Sequence, residues 1–342
     1  MTAKMKRREF ITLLGGAAAA WPLAARAQQQ AANTHRIAIV HPSVSICEMN
    51  ETGDHPYYPA LFKELRRLGY VEGKNLIVAR YSAEGREDRY PELCREVVGT
   101  KPDVIVTSAS RLVLSFKAAT HTIPVVASMA DPVPSGIVTS IARPGGNITG
   151  VSVEAGLEIW GKRLQVLREA VPAASKVGFL GSRQIWDLPG GGQVAATREA
   201  AAQVGITLLG PPLESLQEGE YRRVVGAMAR ERVDGIIVGD QLEHVTYRRL
   251  IVNLADNARL PTVFPYREQF EVGALMAYGP SLADVFRRLA GYIDQILKGA
   301  QPGELPIYLA SKFELLVNQK AANALGLTLP SSLLVRADEV IE

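Results

Sequence analysis

From residue 35 onward the apolar positions of the chain alternate between two rhythms. Short aliphatic runs such as IAIV (37–40), VIV (104–106) and VVA (125–127) have the length of buried strands, not of helices. Between them, Leu61, Leu65 and Leu68 share one face of a helix that stops at Gly69. The spacing predicts strands over 36–40, 76–79, 104–106 and 125–127 with amphipathic helices between them. Strands that alternate with helices in this way build parallel α/β units.

The same grammar then returns. Strands are predicted over 177–180, 206–209, 235–238 and 262–264, with helices over 195–204 and around Tyr221, Val224, Val225 and Met228. Four landmarks keep their order: Arg36, Gly69, Asp103 and Pro124 in the first half, Lys176, Gly205, Asp234 and Pro261 in the second. Their separations are 33, 34 and 21 residues, then 29, 29 and 27. Matched order at similar spacing predicts two topologically alike βαβ lobes instead of one long sheet. The rest of the chain has a strand over 274–278, a helix capped by Ser281 and extended runs over 306–309 and 313–317. It is expected to cross back over the first lobe and return to the second. Up to three crossings make a hinge, near 151–155 and 278–279, where Gly150 and Gly279 are expected to absorb changes in φ and ψ.

In an open parallel sheet, ligands sit beyond the carboxyl ends of the strands. The residues just after each strand are therefore the candidates. The fourth strand ends on Asp131-Pro132; a short helix is expected over 137–142, then a break at Pro144-Gly145-Gly146 and a new strand at Ile148. Ser43 and Ser45 follow the first strand, and Ser108 and Ser110 the third. The second half contributes Ser182 with Arg183, then Asp240, then Tyr266 with Glu268. Ser108, placed to open a helix, suits a carboxylate or other anion. Asp131 and Asp240 suit an amine or a sugar hydroxyl, and Tyr266, Tyr278 and Trp186 can stack on an apolar group. Each also has a plainer reading, as a helix cap, a turn residue or a packed ring.

The first 27 residues are not part of this pattern. Arg7-Arg8, a short apolar run to Ala20 and Ala25-Arg26-Ala27 make a twin-arginine-type signal peptide with cleavage after Ala27. No Cys follows that site for a lipid anchor, and no other apolar run reaches the roughly 18 residues of a spanning helix. The segment holds five of the 38 Lys and Arg and one of the 35 acids, leaving 33 basic against 34 acidic residues, a net of −1. The basic balance thus belongs to the signal, and nothing remains of a nucleic-acid footprint. Of the two cysteines, Cys94 sits in an apolar helical pattern and reads as a small core residue; an oxidising compartment would permit a Cys47–Cys94 bridge if the two lay close.

Enzyme signatures are missing. There is no G-x-S-x-G, P-loop or H-E-x-x-H, and the five histidines show no metal-ligand spacing. The glycines at 190–192 read as a loop, and export argues against a nicotinamide dehydrogenase. No cofactor or metal is expected.

Several segments are familiar: ADPV (130–133), ARPGGNITGVS (142–152), YGPSLAD (278–284), ILKG (296–299) and the ending KFELLVNQKAANALGLTLPSSLLVRADEVIE (312–342). They closely resemble ABC-transporter substrate-binding proteins related to the tryptophan/tyrosine-binding periplasmic family. The resemblance covers nearly the whole mature chain. It implies an α/β protein of the type I periplasmic binding fold, with two Rossmann-like lobes joined by a hinge and a ligand closed between them. Lobe one is expected over 35–152 plus 279–305, and lobe two over 153–278 plus 312–342. Carried over by position, Ser108 and Asp131 match the family's first-lobe pocket loops, and Asp240 and Tyr266 its second-lobe loops. With Ser43 and Ser182 they make the expected ligand site.

Two segments depart from the family pattern. Gly181-Ser182-Arg183 stands where the family often has Asn-Pro, and the loop over 41–58 is longer than the usual Ser-rich turn. The expected protein is a non-enzymatic, monomeric receptor in the periplasm. Its partners are a small polar ligand, an amino acid or a related compound, and an ABC permease in the inner membrane, with no nucleic acid. The alternatives are a periplasmic module that reports ligand to a membrane sensor and, more remotely, a secreted α/β hydrolase using Asp131 and Asp240. Replacing Arg7 and Arg8 by Lys should leave the precursor in the cytoplasm; unchanged periplasmic yield of the variant, measured by fractionation, would exclude the twin-arginine route.

Overall fold

Two sheets carry the chain, and their strands follow the predicted alternation closely. The computed structural model describes residues 34–342 apart from 54, 131, 154–155, 189–191 and 312. The signal segment, Asp131 and part of the 151–155 crossing therefore lie outside the described residues. No helix among those described is long and apolar enough to cross a membrane.

The first sheet is formed by β1 (His35–His41), β2 (Leu76–Ser82), β3 (Val104–Ser108), β4 (Val125–Met129) and β5 (Ile148–Ser152). The second takes β6 (Lys176–Leu180), β7 (Thr207–Leu209), β8 (Gly235–Val238), β9 (Thr262–Phe264) and β10 (Met276–Pro280). Then β11 (Tyr308–Leu309) returns to the edge of the first sheet, and β12 (Phe313–Asn318) and β13 (Glu339–Ile341) close the second. The strand orders are β11-β5-β4-β3-β1-β2 and β13-β12-β10-β9-β8-β6-β7. Every pairing is parallel except β10 with β12. The chain thus passes between the sheets three times: after β5, after β10 and after β11.

The repeated landmarks have the same physical cause in both halves. Gly69 and Gly205 adopt φ of 98° and 71°, ending their helices in the left-handed conformation. In each case the next residue, Tyr70 or Ile206, donates back to the helix at 2.8 Å, the closing bond of a Schellman motif. Asp103 accepts the backbone N–H of Arg36 at 2.7 Å, and Asp234 that of Lys176 at 2.9 Å. These carboxylates pin the start of each lobe's first strand to its third. The carbonyls of Pro124 and Pro261 accept from Ile105 and Ile236, both at 2.8 Å, and start the fourth strand in register.

Alternate residues of the first sheet feed two cores. Ile37, Ile39, Val104 and Val106 face the helices Tyr58–Arg67 and Leu282–Leu297. Ala38, Val40, Ile105 and Ala127 face Leu93, Cys94, Leu112 and Phe116 on the other side. Cys94 is buried and Cys47 exposed, both as free thiols. Ser281 caps the helix Leu282–Leu297, as its position predicts, by accepting from Asp284 N–H.

Two local expectations fail. Residues 137–142 are bends and irregular chain that follow a turn over 132–136, not a helix. The N–H groups of Ile137 and Val138 both reach back to the carbonyl of Pro132 at 3.0 Å, and Gly136 sits at φ 71°. With Pro134 before it and Pro144 after, too little chain is left to nucleate a helix. Gly150 and Gly279, in turn, are not free swivels, because each lies inside a strand. A Cβ would stand 2.0 Å from the Ala127 carbonyl oxygen at Gly150, and 1.7 Å from that of Pro265 at Gly279. Both glycines permit close approach of neighbouring backbone. The buried Arg163 reinforces the second crossing, its Nε donating to the carbonyl of Tyr278 at 2.9 Å.

Gly279→Ala should therefore destabilise the fold by at least the about 1–3 kcal/mol typical of overpacking. Thermal unfolding should show a melting temperature lower by roughly 3–10 °C; an unchanged value would mean that the strand has room to move.

Candidate ligand-binding cleft

Parallel strands all end at the same sheet edge, so the loops after β2, β3, β4 and β5 gather at one place, as do those after β6 and β8. A cavity lies between these two sets of loops, with about 660 Å³ of empty space when its open mouth is counted. From the first lobe come Glu87, Ala109, Ser110, Arg111, Ser128, Met129, Ala130, Ser135 and Val153. From the second come Gln184, Ile185, Leu188, Gln193, Asp240, Gln241, Leu242 and Glu243.

The walls are held by short polar bonds. The Ser110 hydroxyl donates to the Ala130 carbonyl at 2.8 Å and accepts from Ala130 N–H at 3.1 Å, tying the loop after β3 to the end of β4. Ala109, between them, is a non-glycine residue at φ 69°, where a side chain is sterically disfavoured. On the opposite wall Gln193 grips Asp240: its amide N–H donates to Oδ1 at 2.5 Å, and its carbonyl accepts from Asp240 N–H at 3.3 Å. Gln241 holds Ser182 in the same two-handed way, at 2.9 and 3.1 Å.

Charge is concentrated at one end. Arg111 is ion-paired with Glu87 on the first lobe. Glu243 approaches that pair from the second lobe, and burial lifts its carboxyl to about 7. Its own backbone N–H pulls the value down, Glu87 adds to the rise and Arg111 opposes it. Ser128, fully buried on β4, is among the lining residues, and its hydroxyl has no hydrogen-bond partner among the described residues.

A second contact zone seals the lobes beside the cavity. Val44, Tyr57 and Phe286 of the first lobe pack in one apolar cluster with Leu242, Val245 and Tyr266 of the second. Ser43 Oγ meets Thr246 Oγ1 at 2.8 Å, and Gln217 donates to the Gly85 carbonyl at 2.8 Å. His41 Nδ1 accepts from the backbone N–H groups of Ser43 and Val44, which leaves Nε2–H to donate to the Tyr57 hydroxyl at 3.0 Å. Burial keeps this ring neutral, holding its pKa well below the usual value, and neighbouring His55 acts the same way.

A sequence profile for ABC transporter substrate binding proteins matches residues 54–341. The chain belongs to that family. A tyrosine-binding protein from Clostridioides difficile is 20% identical over 266 residues, spanning 78% of this chain and 75% of that one. A conserved domain protein from Vibrio cholerae superposes with a TM-score of 0.77 at 26% identity, covering 90% and 99% of the two chains. The L-Trp complex of an ABC domain from a Streptococcus superposes at 0.76 with 22% identity, covering 90% and 100%. The motif resemblance to the tryptophan/tyrosine-binding type and the type I periplasmic binding fold are thereby borne out; the family is one of binding proteins, not enzymes.

In this substrate-binding protein the residues expected at the site are distributed over three roles. Asp240 lines the cavity. Ser108 ends β3 directly before the lining residues Ala109 and Ser110; it is buried in the sheet, and the following helix begins only at Ser110. Ser182 lies behind Gln184 and Ile185 and is held by Gln241. Ser43 and Tyr266 belong to the seal, and the Tyr266 hydroxyl donates to the Asp240 carbonyl at 2.6 Å, linking seal and cavity. Asp131 is outside the described residues, next to the lining residue Ala130. Ser128, Gln193 and Glu243 were not anticipated. Ser128 is hidden inside the apolar run VVASM, and Gln193 follows a glycine-rich loop, while Glu243, three residues beyond Asp240, was within reach of the strand-end rule.

A carboxyl with a higher pKa in the folded than in the unfolded chain binds more proton when folded. The contribution of Glu243 therefore favours folding below its unfolded value of 4.5 and is lost as pH rises through about 7, a change of about 3 kcal/mol. Glu243→Gln should be more stable than the parent at pH 8, with the advantage shrinking toward pH 5. Denaturant titrations at both pH values check this, and equal differences at the two would show that Glu243 does not titrate in this range.

Proposed function

We propose that this chain is the periplasmic receptor of an ABC importer, closing its two lobes on a small polar solute and presenting it to a permease in the inner membrane. The observation that carries this reading is the cavity itself, lined from both lobes at the carboxyl ends of their parallel strands. Membership of the substrate-binding family supports the importer partner. Asp131 and Asp240 are the proposed contacts for an amine or hydroxyl, and Ser128 adds a hydroxyl that needs a partner. Export by the N-terminal signal would deliver the receptor to the periplasm, where it acts as a monomer.

Closure requires no chemistry. The ligand has only to bind the closed arrangement more tightly than the open one. Lobe residues that meet only on closure, such as Ser43 with Thr246 and Gln217 with Gly85, then add to the ligand's own contacts.

Small-angle scattering of the mature protein should give a smaller radius of gyration at saturation with a confirmed ligand than without it. An unchanged radius, together with ligand located outside the cleft, would remove the receptor mechanism. Ser128→Ala should weaken binding by about 2- to 12-fold, the range of one net hydrogen bond. The melting temperature of the free protein should hardly change, because the hydroxyl has no partner there; a large loss of stability with intact affinity would assign Ser128 to the fold.

A further inference from the structure

Once Arg111 is matched with Glu87, the lining still carries the buried carboxyl of Glu243. The Glu243 carboxyl is bonded, among the described residues, only to its own backbone N–H. An independent feature points to a ligand at the same place: Ser128 is a lining residue, and its wholly buried hydroxyl has no partner among the described residues. A buried hydroxyl left in this state costs free energy unless something in the cavity bonds it. The apolar part of the lining is aliphatic, with Met129, Val153, Ile185, Leu188 and Leu242, and no aromatic ring among the described residues faces the space. The rings expected to stack, Tyr266, Tyr278 and Trp186, are packed elsewhere: in the seal, against Phe313 and against Phe179.

We propose that the cleft selects a ligand bearing a protonated amine on a small non-aromatic body, with Glu243 as the residue that determines this specificity and Ser128 as a further hydrogen-bond partner. This rests on the receptor reading above. A cation supplies what the buried Glu243 carboxyl needs, and aliphatic walls suit a short methylene body better than a flat ring, which would find no face to stack on.

The proposal links binding to protons. Glu243 faces Arg111 and Glu87 across the cleft, with Tyr57 and Tyr90 of the first lobe and Tyr221 of its own lobe nearby. All three phenols are held far above their usual range by burial, so they stay neutral at ordinary pH. Glu243, lifted to about 7 by burial, must lose its proton to receive the amine as an ion pair. Amine affinity should therefore rise between pH 6 and pH 8, by up to about tenfold per pH unit below 7.

Titration calorimetry of the mature protein with L-lysine, 1,4-diaminobutane and 4-aminobutyrate, against L-tryptophan, D-ribose and succinate, tests this at pH 6 and pH 8. At least one aliphatic amine should bind, more tightly at pH 8, and Glu243→Gln should weaken it at least tenfold and flatten the pH dependence. The melting temperature of unliganded Glu243→Gln shows whether the variant is folded. Absence of binding by all three amines, or amine binding untouched by Glu243→Gln in a folded variant, overturns the proposal. D-ribose, succinate or L-tryptophan bound in preference, with that binding weakened in Ser128→Ala, overturns the amine specificity while leaving the receptor reading intact.

Discussion

A parallel strand buried on both faces has its backbone groups committed to its neighbours and its side chains committed to the cores. Polar chemistry is then confined to the loops at the strand ends, and in a parallel sheet those of one kind all lie at one edge. The whole arrangement depends on that constraint. In each lobe an aspartate fixes the register of the first and third strands, through Arg36 with Asp103 and Lys176 with Asp234, so that the carboxyl ends line up. Three crossings then set the two edges opposite each other, and the loops have no other place to present Ser110, Gln193 or Asp240.

The parts of the fold that were legible in the sequence are those governed by local rules. Gly69 and Gly205 mark helix ends because a left-handed residue is needed there, and Asp103 and Asp234 mark strand starts because a carboxylate can bridge two backbones. Residues 137–142 misled because Ile137 and Val138 are buried from the bends that follow a turn, not from a helical face. Gly150 and Gly279 misled in a related way. A glycine that permits freedom and a glycine that permits contact look alike in sequence, and only the neighbouring carbonyls of Ala127 and Pro265 separate them.

The candidate site was legible only as a set of strand ends. Which of those residues faces the cavity is decided by tertiary placement: Asp240 turns inward, while Ser43 and Tyr266 join the seal because the long loop over 41–58 folds against the second lobe. Ser128 could not be read from its neighbours, since a small polar residue in a buried strand has the same pattern as an apolar one. The seal also works against itself in part. It buries His41, His55 and Glu268 beside apolar rings, and burial drives both histidines and the carboxyl toward their neutral forms. Desolvation of that kind offsets part of the apolar gain of the seal.

The two cysteines give the molecule a practical asymmetry. Cys94 is enclosed beneath the first sheet, its thiol pushed up to about 12 by burial, whereas Cys47 stands exposed on the loop that folds against the second lobe. A thiol-reactive dye would thus meet a single addressable position, on a segment whose surroundings would change under the proposed closure of the lobes. If closure follows the proposed mechanism, the native chain would serve as a one-handle fluorescent reporter of its own occupancy, without an engineered residue.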